Sequence, residues 1–384
     1  MQLSHTRRAV SASFDDPNLV SAAGLVPVMK LAEKAELREL ADRWLSVPTD
    51  KGANAGLKVA SIVGGMVAGA DSIDDMALLR HGGMGKLSTA CYAPSTLGSF
   101  LRAFTFGHVR QLDAVASRFL SGLAAGSEVV AGIDDYALVD VDDTIIEVHG
   151  HQKQGAGFGY SGVRGLNALL ATVTTKTTAP VVVAQRLRKG ACGSPRGAAR
   201  LVADALATVT RLRTSQAPPM LLRADSAFYG HATVNAAIAA GAQVSITARM
   251  DPAVKRAIAT IDDDAWEAIE YTDAIFDAAT GRWISNAEVA EVSFTAFTSR
   301  KKADHVAGRL VVRRIPELNK KHLEHPTLFD THRFHAFFTT SDLDTVAADK
   351  THRRCASEIA NQSPDFINLI GSGSMIESVK EKSA

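Results

Sequence analysis

The chain has 384 residues, of which 46% are hydrophobic and 22% are charged, a composition typical of a globular protein with a substantial core. Its three cysteines, Cys91, Cys192 and Cys355, lie far apart in the sequence. This spacing argues against a disulfide framework or a zinc cluster and favours a cytoplasmic protein. No apolar run reaches the roughly 18 residues of a membrane span, and no signal peptide is expected.

The net charge of +1 does not by itself indicate a nucleic-acid-binding protein, but the charge is unevenly distributed. Residues 148–203 contain no Asp or Glu. This acid-free segment contains eight basic residues, which are Lys153, Arg164, Lys176, Arg186, Arg188, Lys189, Arg196 and Arg200. A local basic surface of this kind predicts contact with a polyanion, and the alternative is an ordinary solvated face.

Residues 1–125 are predicted to form a helical N-terminal domain. Apolar residues recur at helical spacing from Leu31 to Leu45. One helix is expected over Pro94–Phe106, ended by Gly107, and another over Val109–Leu123. Two helices joined by a short turn fit either a DNA-binding helix pair or a plain helical bundle.

From residue 126 to 249 the pattern changes to short runs rich in Val, Leu and Thr. Strands are predicted at 136–148, 166–175, 180–187, 220–223 and 243–248, and helices at 195–213 and 232–240. This order indicates an α/β sheet domain. A β-rich insertion is expected at 250–330. Residues 331–384 should hold a last core strand, a polar helix from Asp342 to about residue 361, and a weakly structured tail.

Aspartates occur at two strand ends that are far apart in sequence. The first strand contains Asp140, Asp142 and Asp143, and the run Met220–Arg223 leads to Asp225. Because alternate residues of a strand share a face, Asp140 and Asp142 should point one way and Asp143 the other. Carboxylates are costly in a buried strand unless they bind a metal or a proton. If the two strands are neighbours, Asp142 and Asp225 could share a magnesium site.

The same residues fit another chemistry. Asp140, Asp142 and Thr144 resemble the Asp-x-Asp-x-Thr nucleophile motif of haloacid-dehalogenase-type phosphatases, in which Asp140 would be the nucleophile. That interpretation leaves the basic segment and the helical N-terminus unexplained. The run Gly157–Gly162 matches G-x-G-x-x-G, but a strand follows it rather than a helix, so a glycine-rich hairpin is expected instead of a nucleotide site.

Taken together, four stretches resemble the DDE transposases of bacterial insertion sequences, and insertion-sequence family thirteen-eighty in particular. They are VDVDDTIIEVHGHQKQGAGFGYSGVRGLNALLAT, RLRKGACGSPRGAARLVADAL, LLRADSAFYG and SITARM. The resemblance covers about residues 5–354. It implies a ribonuclease-H-like mixed sheet core, with a β-rich insertion between the second and third acids of a catalytic triad.

Carried over by position, Asp142 is the first acid, Asp225 the second and Glu358 the third. Glu358 lies four residues after Arg354, as the family pattern requires. The apolar run usual before this glutamate is absent, and Asp365 stands where a lysine is usual. The resemblance therefore also suggests a copy truncated or frameshifted near Arg354, with an aberrant tail.

The resemblance further implies metal-dependent cleavage and strand transfer at the ends of a mobile element, with Mg²⁺ held by Asp142, Asp225 and Glu358, and Mn²⁺ as an alternative. The expected partners are double-stranded DNA, as terminal inverted repeats and as target, and a second copy of the chain, near the bacterial nucleoid. Seven basic residues are candidate DNA contacts, namely Lys153, Arg164, Arg186, Arg188, Lys189, Arg196 and Arg200. A catalytically defective DNA-binding relic is the competing hypothesis.

Overall fold

The computed structural model describes residues 16–87, 91–149, 153–214, 216–277, 282–316 and 332–360, with side chains for all of these except 270–286 and 354–360. The chain divides into two compact units. The helical unit comprises the described residues up to Glu128 together with Val148–Ala156. The sheet unit comprises Val129–Glu147 and the described residues from Gly157 onward. Among the described helices, none is both long enough and apolar enough to cross a membrane.

The helical unit is built around one apolar core. Its helices are α1 (Leu25–Lys34), α2 (Leu37–Trp44), α3 (Ala55–Val67), α4 (Met84–Leu87), α5 (Pro94–Arg102) and α6 (Phe106–Gly126). Leu97 and Phe100 of α5 are fully buried in this core. The expectation that Gly107 ends a helix was wrong. Thr105 caps α6 through a capping box with His108, so Gly107 lies in the first turn of the helix.

The sheet unit carries one mixed sheet of ten strands with helices on both faces, which confirms the α/β class. Its first elements are β1 (Leu138–Glu147), β2 (Gly157–Phe158), β3 (Arg164–Thr174), β4 (Val181–Lys189), α7 (Ala198–Leu212), β5 (Leu221–Ala224), α8 (His231–Ala239) and β6 (Gln243–Thr247). The later elements are α9 (Pro252–Ile258), β7 (Glu267–Asp277), β8 (Arg282–Ala296), β9 (Val306–Pro316), β10 (His332–Thr339) and α10 (Thr345–Ala360).

In the strand order of the sheet, β1 lies between β3 and β5. The order runs β2-β3-β1-β5-β6-β10-β9-β8-β7, and β4 also pairs with β3, on the side away from β1. β1 is antiparallel to β3, whereas β1, β5 and β6 are mutually parallel. The strands β7, β8 and β9 extend the sheet beyond β10 as an antiparallel meander.

Two helices cover opposite faces of this sheet. Helix α7 packs on β1, β3 and β4, and its apolar side includes Leu201, Val202 and Leu206, which are fully buried. Helix α10 packs on β5, β8 and β9. The tail predicted beyond about residue 361 lies outside the described residues.

Candidate functional site

The sheet register brings Asp142 and Asp225 together. β1 and β5 are parallel neighbours in which Asp140 lies beside Arg223 and Val141 beside Ala224. One further step along this register places Asp142 beside Asp225, just past the end of β5. The sequence could predict this meeting only on the condition that the two strands are neighbours, and the structure supplies that condition.

Asp225 is oriented by the chain that follows it. Its side chain accepts a hydrogen bond from the backbone N–H of Ala227 at 2.9 Å and caps the short 3₁₀ turn Ser226–Phe228. The residue is exposed, so one carboxylate oxygen is held by the cap while the side chain still faces solvent. Capping alone is a structural role, and it leaves room for a metal contact.

Asp142 lies in an environment that opposes its negative charge. Its pKa is raised to about 6, first by burial and then by the charges of Asp225, Asp143 and Asp140, against a lowering by the hydrogen bond from the backbone N–H of Asp143 at 2.8 Å. A partly buried carboxylate facing a second carboxylate is a favourable place for a cation, which offsets both desolvation and repulsion.

Asp140 has a different role from Asp142, although both lie on the same face. It is 2% exposed, and its two carboxylate oxygens accept hydrogen bonds from Nε and Nη2 of Arg223, each at 2.7 Å. Both oxygens are therefore occupied, and no solvent-facing oxygen remains for attack on a phosphate ester. The interpretation of Asp140 as a phosphatase nucleophile was wrong.

Asp143 faces the opposite side of the sheet, as alternation predicted. There it pairs with Arg188 at 3.2 Å and accepts a hydrogen bond from Asn167. Nη1 of Arg188 also donates to the backbone carbonyls of Ser194, at 3.0 Å, and Arg196, in the segment that precedes α7. The Arg188 side chain is only 10% exposed, so its charge interacts with Asp143 and backbone carbonyls within the protein rather than with DNA.

The other predicted DNA contacts divide by exposure. Lys189, Arg196 and Arg200 are exposed, and Arg200 lies 3.4 Å from Asp204. Arg186 forms an ion pair with the same Asp204 carboxylate, and it is half-buried. Two further candidates remain predictions without a described role: half-buried Arg164 begins β3, and Lys153 belongs to the helical unit.

An aromatic residue that the sequence analysis did not select lies within electrostatic range of the acids. Tyr160 follows β2 in the glycine turn and is 79% exposed. Its pKa is raised, first by partial burial and then by the charges of Asp143, Asp142 and Asp225. The predicted hairpin is present, because β2 pairs antiparallel with β3. The place of Tyr160 in the glycine-rich run Gly157–Gly162, on the turn that follows the strand of the first acid, was the available signal.

Glu358, the predicted third acid, lies in α10. Its side chain is outside the described residues, and therefore its relation to Asp142 and Asp225 stays a prediction. The helix itself is firmly attached to the sheet. His352 contacts the hydroxyls of Ser245 at 2.9 Å and Thr247 at 3.0 Å, and its ring stacks on Phe337 at 4.1 Å. Burial and the nearby Arg223 and Arg313 lower its pKa to about 3, so this imidazole is neutral.

The described side chains thus offer two carboxylates, Asp142 and Asp225, as metal ligands. Among them, no group of three or more His, Cys, Asp or Glu residues is placed to hold an ion. Two carboxylates completed by water and phosphate oxygens match what Mg²⁺ takes in phosphoryl-transfer sites. The donor chemistry and the raised pKa of Asp142 therefore fit a hard divalent cation.

The comparisons with known proteins agree with this geometry. No curated protein matches the chain. A family model described as "Transposase DDE domain group 1" matches residues 3–323. The match includes Asp142 and Asp225, and it ends before Glu358. A match over most of the chain, together with two aspartates brought side by side by the parallel pairing of β1 and β5, shows that the chain belongs to the DDE transposase family.

Proposed function

We propose that the chain is an insertion-sequence transposase that cuts DNA at the ends of its element and joins the freed ends to target DNA, using a divalent metal. One observation carries the proposal. In a member of the DDE transposase family, Asp142 of β1 lies beside Asp225, which directly follows the carboxyl end of the parallel neighbour β5. The raised pKa of Asp142 supports a cation at this position.

The residues that would hold the metal are Asp142, Asp225 and Glu358, with Mg²⁺ as the expected ion and Mn²⁺ as an alternative. When bound, such a metal makes water a stronger nucleophile and stabilises charge on the attacking and leaving oxygens. The chain itself keeps Asp225 oriented through the Ala227 cap. It keeps Asp143 away from the site by pairing it with Arg188 on the other face.

The strand order also supports a ribonuclease-H-like core and a particular insertion-sequence family. An antiparallel group β4-β3-β1 followed by parallel β5 and β6, with helices on both faces, is the arrangement expected of a ribonuclease-H-like core. The strands β7, β8 and β9 would be an insertion between the second and third acids. Together with the four sequence stretches quoted above, these features favour insertion-sequence family thirteen-eighty.

DNA is the proposed partner. Exposed Lys189, Arg196 and Arg200 would contact phosphates, so affinity should fall steeply with salt. The helical unit would recognise the terminal repeats through α5 and α6, and two copies of the chain would bring two element ends together.

The proposal is tested with a supercoiled plasmid that carries the gene and its flanking DNA. We expect Mg²⁺-dependent nicking and linearisation at the element ends. Asp142→Asn and Asp225→Asn should each abolish both products, since each removes a charge from the metal site. Asp251→Asn is the matched control. Asp251 also caps a helix, accepting from Ala253 and Val254 at 2.8 and 2.9 Å. Asn is a good capping residue, so both capping variants keep their caps.

The outcomes separate the hypotheses. Cleavage lost in Asp225→Asn and retained in Asp251→Asn supports the metal site. Specific binding of the element ends without cleavage by the unaltered protein would instead support a DNA-binding relic. Glu358→Gln tests the third acid, and unchanged cleavage by this variant would remove Glu358 from the proposal.

A further inference from the structure

A single buried arginine joins the three elements on which the proposed acids lie. Arg223 is fully buried in β5, two residues before Asp225. Its Nε and Nη2 bind Asp140 of β1, two residues before Asp142. Its Nη1 donates to the backbone carbonyl of Thr351 in α10.

The contact between Arg223 and Thr351 concerns the part of α10 that leads to Glu358. Thr351 and Glu358 are seven residues apart, which is about two turns of helix, so both lie on the same side of α10, with about 10 Å between them along the axis. The contacts of α10 also give its direction across the sheet. Thr345 bonds to Glu291 of β8, and Asp349 to Arg313 of β9.

Further along α10, His352 reaches β6 and Thr351 reaches β5. The next strand in the sheet order is β1. The helix backbone that carries Glu358 therefore continues toward the side of the sheet where β1 lies.

The buried ion pair between Arg223 and Asp140 is not explained by a gain in stability alone. A buried ion pair is often no more stabilising than apolar side chains of similar volume. The pair fixes the relative orientation of its two side chains, because a planar guanidinium bound at two points to a carboxylate holds both groups in one orientation.

We infer that Arg223 and Asp140 are positioning residues that set the spacing of β1, β5 and α10, so that Asp142, Asp225 and Glu358 converge on one metal site. Neither residue touches the metal or the DNA. This inference rests on the proposed function, because it assumes that these three acids form one metal site.

The central variant replaces the pair by apolar residues, as Asp140→Leu with Arg223→Met. It leaves no unpaired buried charge, so the fold should persist. The matched control is Asp349→Leu with Arg313→Met. That second pair, at 2.8 Å, joins buried Asp349 to half-buried Arg313 and attaches the same helix to β9, which carries no acid of the triad. Asp349 also binds Arg353 at 2.8 Å, and Arg353 is partly exposed, so it can turn to solvent in the control variant.

The first measurement is the Mg²⁺ concentration that gives half-maximal plasmid cleavage. We expect it to rise about tenfold or more in the Asp140/Arg223 double variant, as for other residues that orient metal ligands, and to stay unchanged in the control. Arg223→Lys should give an intermediate rise, because one ammonium cannot reach both the carboxylate and the Thr351 carbonyl in the same geometry. Equal shifts in the two double variants, or none in the first, would overturn the inference.

The second measurement does not need DNA cleavage. Fe²⁺ in the Mg²⁺ site, with ascorbate and peroxide, cuts the backbone near the bound ion. The unaltered protein should be cut at β1, β5 and α10. The Asp140/Arg223 double variant should lose the α10 cut, and the control should keep all three.

The failures are distinguishable. Cuts at β1 and β5 alone in the unaltered protein would overturn the inference and leave the two-acid site intact. No cut at either strand would refute the proposed metal site itself, and the inference with it. Three unchanged cuts in the Asp140/Arg223 double variant would show that the pair does not position the helix.

Discussion

Charge at Asp142 should destabilise the metal-free protein, and Asp142→Asn should reveal by how much. The ordinary pKa of the carboxyl is 3.8, and in the fold it rises to about 6, first through burial and then through Asp225 and the other neighbouring acids. Each pKa unit corresponds to about 1.4 kcal/mol, so ionisation costs the folded state about 3 kcal/mol. Because water reaches part of the side chain, we expect about 2 kcal/mol.

The pH dependence of stability follows from the raised pKa of Asp142. The folded protein holds the proton more tightly than the unfolded chain, so the penalty is complete above a pH of about 6. It declines between about 6 and 3.8 and is absent below 3.8. Asn keeps the acceptor for the Asp143 backbone N–H and cannot ionise. Asp142→Asn should therefore be more stable than the unaltered protein at pH 7.5 and equal to it near pH 3.8.

The assay is urea unfolding followed by tryptophan fluorescence in EDTA. A Trp44→Phe background confines the signal to the sheet unit, because the other two tryptophans, Trp266 and Trp283, belong to that unit. Added Mg²⁺ should stabilise the protein with Asp142 and have little effect on the variant, since an ion that binds the folded state stabilises it. A variant that is equally stable or less stable at pH 7.5 would refute the reasoning.

Three further predictions concern the surroundings of the acids. Tyr160→Ala should weaken plasmid cleavage several-fold without changing the urea midpoint, because the ring is exposed beside the acids, and equal cleavage by the variant would exclude a DNA contact there. Replacing Arg196 and Arg200 by Gln should reduce the slope of log affinity against log salt by up to about 2 in a filter-binding titration, and an unchanged slope would remove both from the DNA surface. Gly190→Ala should lower the urea midpoint markedly, because its Cβ would lie 2.0 Å from the carbonyl oxygen of Gly165, and a midpoint equal to that of the unaltered protein would contradict that packing.

Local patterns in the sequence were sufficient for most elements of the sheet unit. Alternation and β-branched runs predicted β1, β3, β4, β5 and β6 within a few residues, since these strands are specified by their own side chains. The same reasoning failed at Gly107. Glycine is a poor helix former, but a first-turn position capped by Thr105 and His108 tolerates it.

The charge of the acid-free basic segment could not be interpreted from the sequence of that segment alone. Eight basic residues without one acid predicted a polyanion surface. Three of them lie against acids from outside the segment, Arg188 against Asp143 of β1 and both Arg186 and Arg200 against Asp204 of α7, although Arg200 stays exposed. A run of sequence without acids does not make a surface without acids, because folding brings carboxylates from other elements against it.

The sequence by itself determined that acids lie in or directly after two separate strands, that Asp143 faces away from Asp140 and Asp142, and that the chain resembles a DDE transposase. Those properties depend on residue order and on the two-residue period of a strand. Only the tertiary structure decided which same-face acid is available. Asp140 is bound by Arg223, 83 residues away in sequence, and Asp142 meets Asp225 because β1 and β5 pair in parallel. Strand pairing and the path of α10 are set by packing across the whole unit, so two aspartates two residues apart acquire different chemistry.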